Sequence, residues 1–163
     1  MRAGIAILAS ALALAGCGER SDPAQDAADV AEIRAEHDMP PVELIAPERI
    51  SYTDIEANNL FGAGCGFAPE GSLAVLFLAQ EDHGFLKLDE RIRTLAPDKG
   101  SAELPMQAYS RYTGKEYTVK IAIDGGEGEQ EGIELTKWPG TIRIRDYKDR
   151  VVFEKTGLVG CGS

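Results

Sequence analysis

The chain has 163 residues, with 17 basic against 27 acidic side chains and a formal net charge of −10. That balance excludes binding to nucleic acid through the net field and sets the chain, on average, against an anionic membrane surface. The length suits one domain with a real core rather than two, while 18 glycines beside 7% aromatic residues predict many turns and a modest core.

The chain opens with Arg2 and then an uninterrupted run of apolar and small residues, 3–16, with no acidic side chain before Glu19. A charged start followed by an apolar stretch is the pattern of an export signal. The run is shorter than the roughly 20 residues a membrane-spanning helix needs. An ordinary secretory signal or a short membrane helix would share these features up to the last four residues. Those are Leu14-Ala15-Gly16-Cys17. They resemble the lipobox of bacterial lipoproteins: a branched apolar residue, two small residues that let an extended backbone enter the peptidase, and a cysteine whose thiol receives a diacylglyceryl group. The resemblance implies cleavage before Cys17, lipid on that cysteine and a tether facing the periplasm. Gly18, which is not an aspartate, implies the outer membrane. Each buried methylene of an acyl chain contributes about 0.8 kcal/mol, so two or three chains anchor stably. The expected organisation is a signal peptide at 1–16, a lipid-anchored linker at 17–41 and a single β-rich periplasmic domain at 42–163.

Three cysteines are odd for an exported chain until Cys17 is set aside for lipid. Cys65 and Cys161 then remain as an even pair in an oxidising compartment and are expected to form a disulfide. A loop of that length would stabilise the fold by about 4–5 kcal/mol in the chain-entropy model. No CxxC spacing occurs, and neither histidine, His37 or His83, lies near a cysteine.

In chain order, Asp22-Pro23 suits an N-cap followed by a helix-opening proline, which predicts a helix over 23–38. Its large apolar residues are only Val30 and Ile33, so the expectation is a helical or disordered tether that supplies reach. From Val42 the folded domain begins. Thr53 and Glu56 fit a capping box for a short helix through Leu60. Gly62-Ala63-Gly64-Cys65-Gly66-Phe67 suggests tight backbone that brings Cys65 to its partner.

Residues 73–79 form a continuous apolar run between turn signals, the pattern of a buried strand. Residues 85–88 and 91–95 follow as strands, and 96–100 as a loop. Tyr117, Val119, Ile121 and Ile123 alternate with Thr118, Lys120 and Ala122, which predicts a strand with one buried face. The acidic, glycine-rich segment 124–131 is expected to be a solvated loop. Trp138-Pro139-Gly140 between 134–137 and 141–145 suits a type II turn. Residues 146–149 turn the chain again, 150–155 return as a strand, and Leu158 and Val159 lead to Cys161. A cysteine so close to the terminus would lock the last strand against fraying. The expected fold is mainly β, a small antiparallel sheet, sandwich or barrel of about six to eight strands behind the tether.

Candidate chemistry is sparse. His83 sits in an Asp-His-Gly turn without a nucleophile elbow. Asp124, Glu127, Glu129 and Glu131 offer oxygens to calcium, but their spacing matches no EF-hand. No cofactor, metal site or catalytic residue is expected. One constellation stands apart in this acidic chain: Lys137, Arg143, Arg145, Lys148 and Arg150 gather in one hairpin region. Arg143, Arg145 and Arg150 are the candidate partner-binding residues. They would meet an envelope protein or an anionic cell-surface polymer, such as lipopolysaccharide phosphate or cell-wall carboxylates. The same cations would also serve as a polar sheet face paired with Glu134 and Glu154, or as protection for a sheet edge.

Trp138-Pro139-Gly140 and the run Asp149-Arg150-Val151-Val152 before Cys161 resemble the last hairpin of the membrane-bound inhibitors of c-type lysozyme. That resemblance covers the last third of the chain and implies a compact β-barrel closed by a disulfide near the C-terminus. Where the inhibitors carry Ser-Gly-x-x-Tyr, this chain has Ala108-Tyr109-Ser110-Arg111-Tyr112, with no glycine after the serine. The expected function is that of a non-catalytic outer-membrane lipoprotein with a structural or interaction role. A periplasmic ligand-binding or lysozyme-inhibitor-like domain is the first alternative and an envelope enzyme the second.

Overall fold

A computed structural model describes residues 22–38 and 40–163. The apolar leader and Cys17 lie outside the described residues. The chain divides after Pro41. In the first part, helix α1 spans Pro23–His37. The Asp22 carboxylate accepts from the Ala24 amide at 3.0 Å, satisfying one of the donors that a helix start leaves orphaned. Val30 and Ile33 are exposed, as is every described side chain of the helix.

The second part, Val42–Ser163, is β structure with one short helix. Helix α2 spans Tyr52–Asn58, and its cap is Ser51 rather than Thr53. The Ser51 hydroxyl accepts from the Asp54 amide, and the Asp54 carboxylate accepts in turn from the Ser51 amide at 2.8 Å. The reciprocal bond needs a carboxylate three residues after the cap. Both Ser51/Asp54 and Thr53/Glu56 offer that spacing, but Ser51 carries the extended backbone.

Nine strands follow: β1 Gly64–Pro69, β2 Phe77–Gln80, β3 Gly84–Leu88, β4 Arg91–Pro97, β5 Arg111–Thr113, β6 Tyr117–Ile123, β7 Glu129–Glu131, β8 Leu135–Asp146 and β9 Val151–Gly162. Strands β1 to β6 form an antiparallel meander; β6 then pairs with β8, β8 with β9, and β9 with β1. The sheet closes on itself as an eight-stranded antiparallel barrel. Strand β7 belongs to the same stave as β6. Ile123 of β6 lies opposite Gly140 of β8, and Glu129 of β7 lies opposite Lys137 further along. The stave is interrupted by the loop 124–128. Closure pairs both sides of every stave and removes the open edges that a flat sheet exposes.

Gly64 and Gly66, on either side of Cys65, lie in β1. A Cβ at Gly64 would meet the Ala79 carbonyl oxygen at 2.3 Å, so these glycines permit close approach of β1 and β2. Three local expectations change in this frame. The apolar run 73–79 is a strand only from Phe77. Leu73 is 93% exposed, while the Val75 carbonyl accepts from the Ile50 amide and the Leu76 amide donates to the Phe67 carbonyl. Strand β4 runs on to Pro97, where a loop was expected, and part of the acidic loop pairs as β7.

Trp138-Pro139-Gly140 is not a turn but the middle of β8. Pro139 falls opposite the gap between β6 and β7, where only its carbonyl is used, accepting from the Asp124 amide at 2.9 Å. A proline fits a central strand where its missing N–H is not asked for.

The barrel interior holds Phe67, Phe77, Leu86, Tyr112, Val119, Ile121, Ile142, Ile144 and Val159, all fully buried. Phe77 and Tyr112 meet edge to face, 5.5 Å between centroids. The Tyr112 hydroxyl donates to the Gln80 carbonyl at 2.7 Å and accepts from the Tyr109 amide at 2.9 Å. Burial raises the Tyr112 phenol above its ordinary pKa. A smaller cluster of Ile50, Leu60 and Phe85, with Ile55, Leu78 and Ile92 against it, lies where α2 covers the neighbouring strands. Cys65 and Cys161 face each other across β1 and β9, their Cα atoms 4.0 Å apart, and are joined by the disulfide.

Candidate functional site

The exposed face of β5, β6 and β8 carries the chain's most distinctive chemistry. Cross-strand register places Arg111 opposite Lys120, Lys120 opposite Arg143 and Arg143 opposite Glu154. Asp98 continues the row at the other end, its amide donating to the Arg111 carbonyl at 2.9 Å. Three cations thus stand side by side on consecutive strands, with a carboxylate at each end. The next row holds Thr113, Thr118 and Arg145. Alternation explains why these side chains share a face, since Tyr112, Val119, Ile142 and Ile144 point into the barrel between them.

The arginines are held from the rim. Arg143 grips Glu154 with two parallel bonds, Nε to Oε2 at 2.9 Å and Nη2 to Oε1 at 2.6 Å. That fork lowers the Glu154 carboxyl and raises the guanidinium, in each case chiefly through the shared hydrogen bond. Arg111 lies 3.6 Å from Asp98, and Arg145 lies 3.6 Å from Asp149 while donating to the Asp149 carbonyl at 2.5 Å. Lys120, in the middle, has no carboxylate within ion-pair distance among the described residues. These side chains line an open groove of about 490 Å³. A second hollow of about 440 Å³ adjoins it, sharing Asp98, Arg111 and Lys120 and running on past Ser101, Leu104, Ser110 and Ile123.

Of the cations anticipated from the sequence, Arg143 and Arg145 line the groove. Arg150 does not: it turns to Asp146 within the β8–β9 turn, Nε to Oδ2 at 2.7 Å. Burial works to raise the Asp146 carboxyl, but bonds from the Arg150 side chain and from the Arg150 and Lys148 amides outweigh it and leave the group below its ordinary value. Lys137 pairs with Glu131, and Lys148 lies over the Tyr147 ring. Edge protection does not apply to β8, which is paired on both sides. Arg111 and Lys120 were not anticipated at this site. Their signal was the polar half of the alternation in 111–113 and 117–123, but only the register of closure brings that half beside Arg143.

Other candidates lie elsewhere. His83 sits in the β2–β3 turn, exposed and stacked on Phe85 at 6.0 Å between centroids. Among the described residues no group of three His, Cys, Asp or Glu converges as a metal site. Ala108, Ser110 and Tyr112 are buried, at 0%, 8% and 0% exposure. In comparisons with known proteins, no family model, curated protein or solved structure matches this chain.

Proposed function

We propose that this protein is a non-catalytic, lipid-anchored β-barrel of the bacterial outer membrane that works by engaging an anionic envelope partner through the groove across β5, β6 and β8. The observation that carries the reading is the row Arg111–Lys120–Arg143 in consecutive register. Like charges directly opposite on neighbouring strands repel; Asp98 and Glu154 offset the two arginines, and an anion over Lys120 would offset the cation between them. In a chain of net charge −10, acidic residues are plentiful, yet none stands opposite Lys120. The anchor rests on Leu14-Ala15-Gly16-Cys17 and on Gly18.

Two measurements test the two halves. Intact mass of the protein from a native bacterial envelope should give a chain that starts at Cys17 and carries an acylated glyceryl group. An unmodified chain would sink the anchor. Binding of the full chain to immobilised anionic envelope polymers should weaken by about tenfold when Lys120 and Arg143 are both replaced by Gln, and should fall as salt rises. Undiminished binding by that variant would sink the role of this face.

A further inference from the structure

We infer that the groove centred on Lys120 is a binding site for a phosphate monoester, taken as its dianion. The inference rests on the preceding reading of this face and narrows its partner to one ligand chemistry.

The donors arrive from three strands. Arg111, Lys120 and Arg143 stand on β5, β6 and β8, about 5 Å from one strand to the next. A planar carboxylate is satisfied by one guanidinium fork, as Glu154 already is by Arg143. Three separate cationic side chains lining one groove match a tetrahedral group with three terminal oxygens and close to two charges. The rim carboxylates orient the arginines without exhausting them: a guanidinium has five N–H donors, and Arg143 gives two to Glu154. Among the described residues none takes a donor of the Lys120 ammonium.

The adjoining hollow selects an ester over the bare ion. Ser110 lines it, is 8% exposed and has a hydroxyl without a hydrogen-bond partner among the described residues. That hydroxyl opens onto the hollow, where a ligand hydroxyl or ester oxygen can bond to it. Leu104 and Ile123 beside it offer apolar contact to the organic part of the ligand. The phosphate would come either from a soluble ester or from a lipid headgroup, and both present the same chemistry to Lys120.

The test uses the full chain in detergent and five probes: glycerol 3-phosphate, dihexanoyl phosphatidic acid, dimethyl phosphate, acetate and polygalacturonate. Calorimetry should show saturable binding of glycerol 3-phosphate, with dimethyl phosphate and acetate weaker by about tenfold or more. Between pH 5.5 and 7.5 the affinity should rise, because the second phosphate proton leaves near pH 6 and no histidine lines the groove. Lys120→Gln should weaken binding by about tenfold, while Lys155→Gln, on the opposite face of β9 from Glu154, should leave it unchanged. Binding of soluble dihexanoyl phosphatidic acid more tightly than glycerol 3-phosphate, weakened in Lys120→Gln, identifies the lipid source; tighter binding of glycerol 3-phosphate identifies the soluble one. Equal affinity for acetate, a flat pH profile or an unaffected Lys120→Gln overturns the inference. Lys120-dependent binding of polygalacturonate without phosphate binding overturns it too, yet leaves the broader anionic-partner reading standing. Failure of every anion removes both.

Discussion

A methyl group at Gly84 would land 2.6 Å from Cζ of Phe77 and 2.7 Å from the ring of Tyr112. Both rings are fully buried, and neither can retreat without disturbing the pair they form. Gly84 therefore serves packing rather than backbone freedom. Gly84→Ala should destabilise the domain by about 1–3 kcal/mol, the usual cost of overpacking, read as a lower urea midpoint with unchanged slope. Asp54 carries a different kind of constraint. Its carboxylate accepts from Lys87 at 2.7 Å and from Ser51, and these bonds, the Lys87 bond first, hold it well below the usual carboxylate range. A group depressed on folding stabilises fully above its unfolded pKa near 4 and loses that contribution as pH falls toward its folded value. Asp54→Asn should therefore be less stable than the native chain at pH 7, and the gap should narrow as unfolding is measured from pH 4 downward. A constant gap across that range would show that the ion pair contributes nothing of its own.

At the level of elements, the disulfide joins the two strands that complete the barrel. β1 and β9 pair antiparallel over six residues, and Cys65 and Cys161 lie directly opposite within that ladder. The bridge spans 96 residues of chain, so it removes much of the freedom of the unfolded state. Replacing both cysteines by Ser should cost about 2–5 kcal/mol and speed amide exchange first along the β1–β9 seam. Uniform acceleration over all strands would point to a purely unfolded-state effect. The elements most legible in the sequence were those with one wet and one dry face. β6 follows from strict alternation over Tyr117–Ile123. Least legible was β8, where Pro139-Gly140 looks like a turn. Proline is tolerated there because its side of β8 faces the gap in the neighbouring stave. Gly140 is required because a Cβ would meet the Ala122 carbonyl oxygen at 2.4 Å. Local sequence holds no record of what lies across the sheet.

Across the whole molecule, the candidate groove is a product of closure. Arg143 and Arg145 share a strand face by alternation alone, and that much was readable from their spacing. Arg111 and Lys120 join them only because β5 pairs with β6 and β6 with β8 in one particular register. A slip of one residue in either pairing would turn Lys120 into the core. Arg150, equally basic and closer in sequence, is lost to the Asp146 carboxylate at the turn. By itself the sequence determined the β-rich class, the pairing of Cys65 with Cys161, the helix opened by Pro23 and the inward and outward faces of the regular strands, because composition, cysteine parity and side-chain period act locally. The tertiary structure alone decided that the sheet closes as a barrel, that a Pro-Gly pair lies mid-strand and that three cations meet in one row. Each of those depends on hydrogen-bond register between segments distant in the chain, which no local pattern specifies.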